Sequence, residues 1–250
     1  MKEMQQRNLT YFLSDFHLGA KYIKDSRAQE RKIVSFLDSI KDSAREIYLL
    51  GDILDYWYEY RYVVPKGFVR FFGKLAELSD SGVKIYWFIG NHDIWIFDYL
   101  PKEIGLTVID GEVVKKIDGK VFFLAHGDGV GKRSLSFRFL RSLFRNKFCQ
   151  KLYAGIHPRW TIPFALNWSN SSREGDDYPH YLGEGREYLE NFANGYNLQH
   201  IDFFVFGHRH IMLDKPLKSG SRLIILGDWL HFCSYAVFDG KNIKLEKYAE

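Results

Sequence analysis

Apolar positions along this chain follow two rhythms. Short, nearly continuous runs rich in Ile, Val, Phe and Tyr occupy 9–13, 47–50, 83–89, 121–125, 203–206, 223–226 and 235–238. Runs of this length, most of them closed by a Gly-, Asp- or Asn-bearing turn, predict β-strands. Between several of them the spacing changes to i, i+3, i+4. Ile33, Val34, Phe36 and Leu37 do this within 27–39, Phe71, Phe72, Leu75 and Leu78 within 68–78, and Tyr188, Leu189 and Phe192 within 184–194. That period predicts helices. Strands alternating with helices over the first half imply βαβ units with right-handed crossovers. The last fifty residues differ, because short strands joined by tight turns such as Asp239-Gly240 suggest an antiparallel second sheet. The expected fold class is α/β, a two-sheet sandwich flanked by helices, as a single domain over 1–250.

One stretch, from about 130 to 175, breaks the rhythm. Leu135, Phe139, Leu140, Leu143 and Phe144 fall on one broad helical face, with Arg138, Arg141 and Arg145 opposite. A second short helix is expected over 148–154. Pro158 and Pro163 then punctuate an expected loop carrying Trp160, Phe164 and Trp168, which could close a small core. Between Val130 and Arg173 there are nine Lys or Arg residues and no acid, although the whole chain is only +4. The plain account of such charges is a solvated helix face. A field of one sign, however, attracts anions: phosphorylated substrate, nucleic acid or acidic lipid headgroups. We read the segment as an inserted helical cap.

Composition narrows the class. At 46% hydrophobic and 26% charged, 250 residues suffice for a soluble globular domain with a full core. Cys149 and Cys233 form no C-x-x-C and no disulfide framework, which fits a reducing compartment. No signal-peptide pattern and no run near the ~20 apolar residues of a membrane span is evident, so a cytoplasmic location is expected.

The chemistry sits just after the strand-like runs. SDFHLG offers Asp15 and His17, LGDILD offers Asp52 and Asp55, IGNHD offers Asn91 and His92, AHGD offers His126 and Asp128, and FGHRH offers His208 and His210. Strand ends delivered to one sheet edge can place all of these in one crevice. Asp, Asn and His without Cys form a donor set suited to Mn, Fe or Zn, and there are too many ligands for one ion but enough for two. Asp52, at a strand tip, can bridge. Asp15, His17 and one distal histidine would complete one shell, and Asn91, His126 and the other distal histidine the second. Such a pair of ions polarises a phosphoryl oxygen and favours in-line displacement. Each block alone reads more simply as a turn or a helix cap. The five together do not. His157, His180, His200, His231, Asp93 and Asp228 read as surface or structural residues. Asp128 could orient His126, hold a base of the cap or complete a turn.

In this order, DFHLG, GDILD, GNHD, AHGD and GHRH resemble the five motif blocks of the calcineurin-like metallophosphoesterase superfamily. The resemblance implies a four-layer αββα sandwich. It implies Asp15, His17, Asp52 and His210 on one metal, and Asp52, Asn91, His126 and His208 on the other. It also implies that His92, oriented by Asp55, is a general acid or a donor to a phosphate oxygen. GDILDYWYEY, the basic aromatic insertion after AHGD, and LGDWLHFCSYAVFDG are similar to the UDP-2,3-diacylglucosamine pyrophosphohydrolases of lipid A synthesis. The best-studied of these have Arg where this chain has His92. That likeness implies cleavage of UDP-2,3-diacylglucosamine to UMP and 2,3-diacylglucosamine 1-phosphate, manganese as the metal, and peripheral contact with the inner membrane. It implies substrate contacts from Asn91, Asp128, Ser172 and Arg173. A nuclease or other phosphodiesterase on the same frame is the alternative. A binding scaffold that had lost its chemistry would lack several ligands, and none is missing.

Overall fold

The computed structural model describes residues 7–131, 135–171 and 180–249. Two sheets face each other. The first has the order β11 (Ile243–Lys247), β10 (Ser234–Phe238), β1 (Leu9–Leu13), β2 (Ala44–Leu49), β3 (Lys84–Phe88), β4 (Thr107–Ile109). The second has the order β5 (Val113–Ile117), β6 (Lys120–Ala125), β7 (Phe203–Phe206), β9 (Arg222–Leu226), β8 (Met212–Pro216). Strands β1 to β4 are parallel, as are β6, β7 and β9, and antiparallel strands extend both sheets.

The central strands read as unbroken apolar runs because both of their faces are covered. Successive side chains point opposite ways. Phe12, Tyr48 and Phe88 enter the layer between the sheets, where they meet Phe122, Val205 and Ile224. Tyr11, Leu13, Leu49 and Trp87 point outward, against helices α1 (Ser26–Ser39), α2 (Val69–Asp80) and α3 (Tyr99–Ile104). Across the molecule, three further helices, α4 (Leu135–Arg145), α5 (Lys147–Ala154) and α6 (Pro158–Ser171), precede α7 (Tyr188–Gly195). Leu189 and Ala193 of α7 cover the outer face of the second sheet against Phe204, Phe206 and Ile225. The result is the αββα order.

Three expectations need correction. The C-terminal strands do not form a sheet of their own: β8 and β9 join the second sheet, while β10 and β11 extend the first beyond β1. Edge strands such as MLDKP and IKLEK are half-polar and short, so their pattern is weak in the sequence. The stretch from Pro158 is a helix rather than a loop. Pro158 stands at the first helical position, where its missing amide costs nothing, and the buried Thr161 and Ser169 anchor the helix despite Pro163. Helix α7 begins later than the pattern suggests, because Gly183 and Gly185 adopt positive φ and Glu187 is extended.

Helices α4 and α5 have no fully buried residue. They are held to the body through an aromatic segment. The Tyr56 and Tyr153 hydroxyls lie 3.1 Å apart, Tyr58 donates to the Gln150 carbonyl at 2.6 Å, and the Tyr60 hydroxyl meets Thr161 Oγ1 at 2.5 Å. Trp95 Nε1 donates to the Phe144 carbonyl. Trp160, Phe164 and Trp168 close no core of their own, being 67%, 62% and 56% exposed.

Candidate metal centre

Parallel strands place their C-terminal ends on one edge, which is where open α/β sheets bind ligands. Asp15 follows β1, Asp52 follows β2 and Asn91 follows β3, while His126 follows β6 and His208 follows β7. Backbone bonds draw these loops together. Asp15 N donates to Gly51 O, His17 N to Asp52 O, Gly207 N to His126 O and Trp229 N to Asp15 O. Asp15, His17, Asp52, His208 and His210 all have φ between 47° and 66°. Left-handed backbone costs a residue with a β-carbon about 1–2 kcal/mol, and Asp and His are among those that tolerate it best. Gly207 answers a tighter demand, since a β-carbon there would lie 2.6 Å from Asp15 Oδ2.

Two sets of donors converge. Asp15, His17 and His210 bring one ligand atom each to within 4.8 Å of one another, and Asp52, His126 and His208 do the same. His210 Nε2 is 3.3 Å and His17 Nε2 3.7 Å from Asp15 Oδ1. His126 Nε2 is 3.2 Å from Asp52 Oδ2 and 3.1 Å from Asn91 Oδ1. Donors about 2.1 Å from a shared cation stand about 3.0–3.4 Å apart in octahedral or tetrahedral geometry. Asp52 Oδ2 also lies 3.8 Å from His17 Nε2, so it touches both sets, while Asp52 Oδ1 is occupied by the His92 amide. Asp15 Oδ1 is buried and, among the described residues, accepts no hydrogen bond. An anionic oxygen facing two imidazole nitrogens in that state fits a metal ligand, and the donor set as a whole fits a pair of divalent ions.

An outer layer fixes the imidazoles. His17 Nδ1 meets Asp55 Oδ1 at 3.2 Å, His126 Nδ1 donates to the Leu50 carbonyl at 2.8 Å, and His210 Nδ1 meets Asp228 Oδ2 at 3.1 Å. With Nδ1 so engaged, each ring turns Nε2 inward, the usual arrangement around metal-binding histidines. Asp55, His17 and His92 also cluster as if for a metal. Asp55 Oδ1, however, is already an acceptor for the rim of the site, receiving the Ser169 hydroxyl at 3.0 Å.

Electrostatics follow from this crowding. Burial raises the pKa of Asp15. Burial would also raise Asp52, but His126, His92 and His17 outweigh it and hold Asp52 well below the usual carboxylate range. Burial would lower His126, yet Asp52, by charge and hydrogen bond, pushes it up to about 10. Asp93 is pushed up to about 6 by burial and the nearby Asp52, while its N–H donors pull the other way.

Asn91, His92 and Asp128 stand at the mouth of a cleft of about 610 Å³ beneath the cap helices. Asp128 holds a base of the cap, accepting from Arg141 Nε at 3.1 Å. His126, His208 and Arg141 bring its pKa below the usual value against the effect of burial. Ser172 and Arg173 lie outside the described residues. Asp228, read from the sequence as a surface or structural residue, stands behind His210 of the candidate site. It lies two residues past β9, as Asp15 does past β1, and its LGD repeats the LGD of the second block. Its Oδ2 bridges His210 and His231, and its Oδ1 accepts the amides of 230–232. Burial opposes the charge, but the hydrogen bonds from His210 and His231 bring its pKa down to about 2.

Residues 10–212 match the calcineurin-like phosphoesterase family. A UDP-2,3-diacylglucosamine hydrolase from Porphyromonas gingivalis is 44% identical over 96% of this chain and 97% of its own length. One from Neisseria meningitidis is 26% identical over 95% of this chain and 98% of its own. Among solved structures, the E. coli phosphoesterase Yfce has a TM-score of 0.48 at 13% identity, over 96% of this chain and 92% of that one. With a family match over most of its length and a full-length relative at that identity, the chain belongs to the calcineurin-like phosphoesterases.

Proposed function

We propose that this protein is a dimetal hydrolase that cleaves the pyrophosphate of UDP-2,3-diacylglucosamine, releasing UMP and 2,3-diacylglucosamine 1-phosphate. The 44% identical relative named for that substrate supports the reading. The structural observation that carries it is the cleft. From Asn91, His92 and Asp128 it runs under the cap between Trp95, Leu140, Phe144 and Trp168. An apolar slot opening on a polar, metal-ready floor suits a lipid with a charged head, whereas a nucleic acid would find little to pair with in it.

Asp15, His17, Asp52 and His210 would hold one ion, and Asp52, Asn91, His126 and His208 the other. Bound there, two divalent ions supply Lewis acidity toward a phosphoryl oxygen and bring the pKa of a water toward neutrality. Manganese is the expected metal, and iron or zinc suits the same donors. His92, held by Asp55, donates to a phosphoryl oxygen as negative charge grows on it. Arg141, fixed by Asp128, sets the positive edge of the slot, and Ser172 and Arg173 add substrate contacts from the same segment.

The cap also suits a lipid surface. Leu135, Phe139, Phe148 and Trp160 are exposed beside Arg138, Lys147, Lys151 and Arg159. Apolar residues among cations bind anionic membranes peripherally. No helix among the described residues is long and apolar enough to cross a membrane. The site of action in this reading is the cytoplasmic face of the inner membrane, where this surface would meet the lipid.

The test is the purified protein with Mn²⁺, given UDP-2,3-diacylglucosamine, bis(p-nitrophenyl) phosphate and ATP side by side. Release of UMP well ahead of the other two products is expected, with ¹⁸O from labelled water found in UMP. Faster cleavage of single-stranded DNA or a cyclic nucleotide than of the lipid would replace this reading with a phosphodiesterase.

A further inference from the structure

We propose that Ser169, on cap helix α6, is a positioning residue through which the cap sets the orientation of the His92 ring. The proposal rests on the reading of His92 as the donor to the phosphoryl group.

Ser169 is 5% exposed, although most of α6 faces outward. Its hydroxyl donates to Asp55 Oδ1 at 3.0 Å and lies 3.3 Å from His92 Nδ1. The same nitrogen is 3.2 Å from the Asp55 carbonyl and 3.4 Å from Asp55 Oδ1. A serine hydroxyl has one proton, and here it is committed to a carboxylate, so toward His92 the oxygen is an acceptor. Nδ1 of His92 therefore faces three acceptors that hold its N–H, and donation to a phosphoryl oxygen falls to the second N–H, at Nε2 of the imidazolium. The residue itself lines the cleft. Asp55 alone could hold the proton, but Asp55 also orients His17 at 3.2 Å. Ser169 gives the ring a contact that comes from α6 rather than from the loops that carry the metal donors.

Ser169→Ala and Ser169→Thr are compared with wild type on UDP-2,3-diacylglucosamine, with melting temperature and bound Mn²⁺ measured for each. Loss of a hydrogen bond near a charged group predicts a fall in kcat of about tenfold for Ser169→Ala, with KM within about twofold and metal content unchanged. Ser169→Thr, which keeps the hydroxyl, recovers most of the rate. Long-range ¹H–¹⁵N spectra should show a His92 Nδ1–H protected from exchange with water in wild type and exchanging faster in Ser169→Ala. An unchanged kcat in Ser169→Ala, a rise in KM alone, or Ser169→Thr as slow as Ser169→Ala overturns the proposal. His92→Ala separates the two ideas. If it keeps full kcat, the role of His92 itself is wrong. If it loses kcat while Ser169→Ala does not, only the role of Ser169 is wrong.

Discussion

Gly90 and Asp52 approach so closely that a β-carbon on Gly90 would lie 2.2 Å from Asp52 Oδ1 and 2.4 Å from the Asp52 amide nitrogen. Both distances are far below any real non-bonded contact of a β-carbon, and one is to backbone, so the loop after β2 would have to move. Gly90→Ala should therefore displace the carboxylate shared by the two donor sets. We expect loss of at least one bound metal per chain and a drop in kcat of at least about a hundredfold, with the circular dichroism spectrum retained. Two metals still bound by the variant, measured by elemental analysis, would contradict the shared role of Asp52.

If His210 holds a metal as proposed, Asp228 acts on it through the 3.1 Å contact to His210 Nδ1. Asp228→Asn keeps an oxygen for the amides of 230–232 but loses the charge that holds the two imidazoles. Outer-layer changes of this kind weaken metal affinity by about 10–100-fold. The Mn²⁺ concentration giving half-maximal activity should rise by that factor, with activity restored at saturating metal.

Protons and cations compete for this pocket. With its pKa at about 10 in the cation-free protein, His126 is protonated at neutral pH, and a metal must eject that proton to use Nε2. Asp52, already ionised, releases none. Apparent metal affinity should therefore rise with pH, by up to about tenfold per unit for one proton, and fall toward acid. Calorimetry in buffers of different ionisation heat should record net proton release near pH 7. No release would mean that His126 enters neutral.

The slot can be separated from the chemistry. Trp168 lies on the cleft and in no part of the donor sets. Trp168→Ala removes apolar surface worth about 1.5–3 kcal/mol if the lipid covers it fully. KM for the diacylated substrate should rise roughly tenfold or more, while bis(p-nitrophenyl) phosphate turnover is unchanged. Equal loss on both substrates would place Trp168 in the reaction itself.

Asp93 is a structural partner of the site. Fully buried, it accepts from Ile53 N at 3.0 Å, Trp87 Nε1 at 3.1 Å and Gly90 N at 2.8 Å. Asp93→Ala strands three buried donors at about 1–3 kcal/mol each, so urea denaturation should show a loss of about 3 kcal/mol or more. A loss below about 1 kcal/mol would mean that water replaces the carboxylate.

Much of this architecture was legible because the blocks carrying Asp15, Asp52, Asn91, His126 and His208 follow apolar runs, and a strand that is buried on both faces cannot hide. Edge strands could: IKLEK of β11 is half-polar, as an edge must be, and mimics a loop. Helix α6 was masked by Pro158 and Pro163, whose local preference is overridden by the buried contacts of Thr161 and Ser169. Asp228 was passed over because one carboxylate in a turn looks like a cap, which it also is. Its bond to His210 exists only in three dimensions. Ser169 has no motif at all, being one hydroxyl in a segment otherwise read for its aromatic rings and charges.

Strand β1 lies between β2 and β10, so it finds its second neighbour more than two hundred residues later in the sequence. On the ribosome, one side of β1 must wait with open amides until residue 238 has emerged, and the distal histidines arrive only shortly before it. A nascent chain halted between the distal histidines and β10 therefore holds every metal donor, yet the strand that delivers Asp15 still has one bare, sticky edge.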